Sequence, residues 1–81
     1  MIKLEAKTRL PPEELVERLK RVFGKEGLGL EITDERPECL YFEGGGGYVN
    51  ATLCSEKSKT RLDLLTQEWE YQVKKFISEL P

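Results

Sequence analysis

The chain has no histidine among its 81 residues, and only two cysteines, one asparagine and one tryptophan. Without histidine it lacks the side chain that most often acts as general base near neutral pH and most often ligates transition metals, so the commonest hydrolytic and metal-assisted devices are excluded. Cys39 and Cys54 are separated by 14 residues. That spacing is no CxxC pair, and without imidazole partners two thiols do not complete a zinc site. No apolar run approaches the roughly 18 residues that span a bilayer. Met1-Ile2-Lys3-Leu4-Glu5 alternates charge with apolar groups and lacks the apolar core of a secretory signal. The expected location is cytoplasmic, with no membrane association. Neither a Lys-Ser nor a Lys-Thr follows the tetraglycine Gly44 to Gly47, which therefore reads as a hairpin turn rather than a phosphate loop. No catalytic residue, cofactor or metal ligand is assigned, and the expectation leans away from an enzyme.

With 38% of residues hydrophobic and 35% charged, the composition is that of a folded domain. Its length allows one core and therefore one domain, residues 1–81. The net charge is -2, which removes global attraction to nucleic acid or anionic membranes and disfavours nucleic acid as a partner. One Asn and two Gln against thirteen Glu match the amide-poor composition of thermophile proteins.

Ile2, Leu4, Ala6 and Thr8 alternate with Lys3, Glu5, Lys7 and Arg9, the period of two that defines a half-buried strand. Pro11-Pro12-Glu13-Glu14 opens a helix over about 12–25, with proline where no intrahelical N–H partner exists and acids at the positive end of the dipole. Leu15, Leu19, Val22 and Phe23 supply its apolar stripe, and Gly24 and Gly27 stop it. Alternation then predicts strands at Leu28 to Thr33, Cys39 to Phe42, Tyr48 to Cys54 and Thr60 to Leu65, with Asp34 to Glu38 as a turn. Thr66 reads as the N-cap of a last helix carrying Trp69, Val73, Phe76, Ile77 and Leu80 on one side. The order β-α-β-β-β-β-α predicts a two-layer α+β domain, one antiparallel five-stranded sheet with two helices on one face.

The sheet face away from the helices holds the candidate site. Alternation assigns to it Lys3, Glu5, Lys7 and Arg9, then Glu31 and Thr33, then Cys39, Tyr41 and Glu43, then Tyr48, Asn50, Thr52 and Cys54, and last Arg61 and Asp63. Tyrosines bury a large area with few rotatable bonds, so Tyr41 and Tyr48, with Asn50, Thr52, Lys7, Arg9 and Arg61 around them, form the candidate interaction face. The expected partner is a second copy of the chain or another protein. The alternative occupant is a small molecule or a single nucleic-acid strand stacked on the tyrosines.

Two hairpin registers fit the tetraglycine. One sets Cys39 opposite Cys54, where a disulfide becomes possible; the other sets Cys39 opposite Thr52. Glu5 and Asp63 become neighbours if the first and last strands pair. Two close acids can run acid–base chemistry when burial separates their pKa values, but beside Lys3, Lys7 and Arg61 they read as part of a solvated ion-pair ladder.

Overall fold

The computed structural model describes residues 2–81. Five strands and two helices follow in the order β1 (Ile2–Thr8), α1 (Pro12–Phe23), β2 (Glu31–Arg36), β3 (Cys39–Gly44), β4 (Gly47–Glu56), β5 (Lys59–Gln67) and α2 (Glu70–Ser78). The strands make one antiparallel sheet with spatial order β1-β5-β4-β3-β2. β2 to β5 form a meander through three short turns. β1 closes on β5 at the far side, so the strands first and last in sequence lie together.

Both helices sit on one side of this sheet, α1 over β4 and α2 over β5 and β1. Each strand sends its apolar series to that side: Leu40 and Phe42 from β3, Val49, Ala51 and Leu53 from β4, Leu62 and Leu64 from β5. Leu15, Leu19 and Phe23 of α1 and Val73 and Phe76 of α2 meet them in one core. The half-buried Leu4, Leu10, Val16, Trp69, Ile77 and Leu80 close its rim. β2 lies at the margin of this layer: all six of its residues are exposed, and α1 touches it through the ion pair of Lys20 with Glu35.

Several boundaries depart from the sequence reading, and local hydrogen bonding accounts for the largest of them. Helix α1 ends at Phe23, and the chain then winds round its end: Leu28, Gly29 and Leu30 donate their N–H groups to the carbonyls of Val22, Gly24 and Phe23 at 2.9, 2.8 and 3.0 Å. Those donors are used locally, so β2 starts at Glu31 rather than Leu28. It then runs through Asp34 and Glu35 to Arg36, and the turn shrinks to Pro37-Glu38. A bulge between Ile32 and Asp34 leaves Thr33 outside the ladder. Thr66 is no N-cap. It is a fully buried residue of β5 whose hydroxyl donates to the Tyr48 carbonyl at 2.8 Å, and α2 begins four residues later. Arg9 lies beyond the end of β1, because Thr8 accepts the Leu10 N–H at 3.3 Å and turns the chain towards α1.

The hairpin between β3 and β4 turns on Gly45 and Gly46, whose φ values of 60° and 82° are the paired positive angles of a type I′ turn. Gly44 faces Gly47, which selects the register pairing Cys39 with Thr52. Cys54 lies instead opposite Arg61, and both thiols are free. Trp69, at the start of α2, locks this turn: its indole N–H donates to the Gly44 carbonyl at 2.9 Å, and its ring lies against Gly45. Trp69→Phe removes the donor together with outer ring atoms that lie against Gly45. It is expected to cost about 1–3 kcal/mol in urea denaturation, the range for a carbonyl left without its donor. An unchanged midpoint would show that the contact adds nothing.

Candidate interaction face

Register converts the open side of the sheet into an ordered array, read from β1 to β2. One rung is Lys3, Leu65, Asn50, Tyr41, Asp34. The next is Glu5, Asp63, Thr52, Cys39, Arg36. Beyond it Lys7, Arg61 and Cys54 continue one end, while Gln67, Tyr48, Glu43 and Glu31 continue the other. Of the expected interaction residues, Tyr41, Tyr48, Asn50, Thr52, Lys7 and Arg61 share this face. Arg9 does not join them, for the reason given above, and Thr33 is displaced by the bulge.

Tyr41 and Tyr48 are diagonal neighbours on β3 and β4, and their rings stack with centroids 5.7 Å apart and an interplanar angle of 17°. Burial, then the nearby Glu43 carboxylate, then Tyr48 push the Tyr41 hydroxyl above its ordinary pKa. Three acids, Glu31, Asp34 and Glu43, stand around the pair. Thr33 Oγ donates to the Tyr41 carbonyl at 3.4 Å and holds the bulge against β3. At the centre the Cys39 thiol donates to Asn50 Oδ1 at 3.4 Å.

Charges at the β1–β5 end are connected along diagonals. Glu5 lies directly opposite Asp63, and Lys7 directly opposite Arg61, so cross-strand partners carry like charges, a pairing that by itself destabilises a sheet. Bridges running the other way offset it. Lys7 Nζ lies 3.6 Å from Glu56, Arg61 reaches the same carboxylate at 3.4 Å, and Arg61 Nε lies 3.4 Å from Asp63. Asp63, then Glu56, hold the Arg61 guanidinium charged and push its pKa further up. Asp63 Oδ1 is nonetheless buried without a hydrogen-bond partner among the described residues. It borders a shallow depression lined by Lys3, Asn50, Thr52 and Leu65. The Glu5–Asp63 pair that suggested acid–base chemistry thus lies beside an ion-pair network whose bridges run along β5, from β5 to β4, and across β5 from β1 to β4.

Asp34, Arg36, Leu65 and Gln67 also belong to this face and were not assigned to it from sequence. Leu65 was findable, since it continues the alternation of Arg61 and Asp63. Asp34 and Arg36 were hidden behind Pro37, whose turn signal reached back over residues that remain in the strand. They pair with each other at 3.4 Å.

Fold and face together define a two-layer α+β domain with one uncovered sheet side. No protein-family model matches the chain, and no curated protein matches it. Among the described residues no group of Cys, Asp and Glu gathers as metal ligands, and no helix is long and apolar enough to cross a membrane.

Proposed function

We propose that the chain is a small non-enzymatic interaction domain that associates with a second copy of itself through the uncovered sheet face. The observation that carries this reading is the stacked Tyr41–Tyr48 pair, standing on a side of the sheet that neither helix covers. Stacked aromatic rings with few rotatable bonds lose little entropy when covered. Five strands about 4.8 Å apart and seven residues at about 3.3 Å give a face of roughly 550 Å². That is below the roughly 800 Å² per partner of a standard interface, so the association proposed is of the weak, transient class.

Stacking of a nucleic-acid strand is the weaker reading. Glu31, Asp34 and Glu43 surround the tyrosines with negative charge, where a phosphate backbone needs positive.

Light scattering at tens of micromolar tests the proposal. The parent is expected at twice the chain mass, and Tyr41→Glu with Tyr48→Glu at the mass of one chain. A monomeric parent overturns self-association, and a dimer untouched by both substitutions shows that another surface carries it.

A further inference from the structure

If the chain self-associates through this face as proposed, the arrangement of charges on it bears on how the two copies are oriented. The two central rungs have a particular symmetry about β4. On the first, Lys3 and Asp34 lie two strands from Asn50 on opposite sides, and Leu65 and Tyr41 one strand from it. On the second, Glu5 and Arg36 lie two strands from Thr52 on opposite sides, with Asp63 and Cys39 between. Each outer pair thus carries opposite charges, and the inner pair of the first rung is aliphatic against aromatic.

We propose that two copies pack face to face about a two-fold axis running along β4, so that β1 of each copy lies over β2 of the other. A rotation of this kind exchanges the two sides of each rung. It sets Lys3 against Asp34 of the second copy, Glu5 against Arg36, and Leu65 against the Tyr41 ring. Each contact occurs twice, as a two-fold requires. Both sheets carry the same right-handed twist, so they stack with their strands aligned, in the way sheets do in sandwiches.

The competing two-fold, perpendicular to the strands, places β1 over β1 and β2 over β2. It also joins opposite charges, Lys3 to Glu5 and Asp34 to Arg36. However, it sets Leu65 against Asp63, and so covers the half-buried aliphatic residue with a carboxylate. With the axis along β4 the same carboxylate meets the Cys39 thiol, a weak hydrogen-bond donor, and covering a charge with a group that can donate costs less than covering it with an aliphatic one, which favours the axis along β4.

Exchanging charges within one strand separates the two arrangements. One chain carries Lys3→Glu with Glu5→Lys, and a second carries Asp34→Arg with Arg36→Asp. All four positions are exposed, and circular dichroism verifies that each variant keeps its fold. With the axis along β4, each variant alone meets like charges, and its dimer dissociation constant is expected to rise about tenfold or more. An equimolar mixture of the two restores all four charged contacts in a heterodimer, as does one chain carrying all four substitutions. With the perpendicular axis the order reverses: each variant self-associates like the parent, and the mixture does not form the heterodimer. Native mass spectrometry distinguishes the species when one variant is isotopically labelled. That reversed pattern, or swaps with no effect on a dimer that Tyr41→Glu and Tyr48→Glu abolish, overturns the orientation and leaves the choice of face standing. A monomeric parent overturns both.

Discussion

Phe23→Ala is expected to lower folding stability by about 3–5 kcal/mol, measured as a shift of the urea midpoint at unchanged slope. Phe23 is the last residue of α1 and is fully buried. Its ring lies 5.9 Å from that of Phe42 on β3 and 5.6 Å from that of Phe76 on α2, tilted by 48° and 50°. One side chain thereby joins both helices to the sheet. Removing it forfeits the transfer energy of the ring and leaves a cavity that three separate elements would have to close in upon. At about 0.05–0.15 kcal/mol per residue, a chain of this length has roughly 4–12 kcal/mol in total, so the variant sits at or near the limit of folding. Phe76→Ala, which empties the same cluster from the α2 side, is expected to behave similarly. A loss below about 1 kcal/mol at Phe23 would show that the helices do not meet the sheet through this cluster.

The next largest effect is expected at Gly47, with Gly46 as its control. A β-carbon added at Gly47 would lie 2.1 Å from the Gln67 carbonyl oxygen and 2.5 Å from Glu68 Cβ. The first obstacle is backbone, so β4 and β5 would have to part where Tyr48 pairs with Gln67. Gly47→Ala should cost about 2–3 kcal/mol or more, the upper range of forced overpacking. Gly46 is the reverse case: its φ of 82° is strained for any other residue, but nothing lies within 4 Å of the added carbon. Gly46→Ala should therefore cost only about 1–2 kcal/mol, the ordinary penalty of a left-handed backbone. Thermal unfolding of the two variants side by side checks the order. A Gly46 variant less stable than the Gly47 variant would mean that turn conformation, rather than the closeness of β5, sets the need for glycine here.

Within the candidate face, the ease of reading followed the source of each position. Tyr41, Tyr48, Asn50, Thr52, Lys7 and Arg61 were assigned from alternation alone. A strand's period of two is a local property that any correct starting residue propagates. Thr33, Asp34 and Arg36 broke this rule because one bulged residue reverses the faces of everything after it. Composition records no bulge. Arg9 failed at the end of its strand, where hydrogen bonding by the Thr8 side chain, rather than hydrophobic pattern, decides that pairing stops.

Sequence by itself determined the number and order of the elements, the two amphipathic helices, and the division of most strand residues between core and open face. All of these rest on periodicity and on the proline and glycine signals that punctuate it. Tertiary structure decided which strands are neighbours, and with that the identity of every cross-strand pair. The pairing of β1 with β5 places Glu5 opposite Asp63 and Lys7 opposite Arg61, a combination of like charges that no local preference would select. It also decided the hairpin register: Leu40 and Phe42 share the face of Val49, Ala51 and Leu53 in either alignment, so hydrophobic burial is indifferent between them. The choice fell to the two central turn residues, because Gly45 and Gly46 take the left-handed conformations of the type I′ turn and Trp69 closes over the first of them.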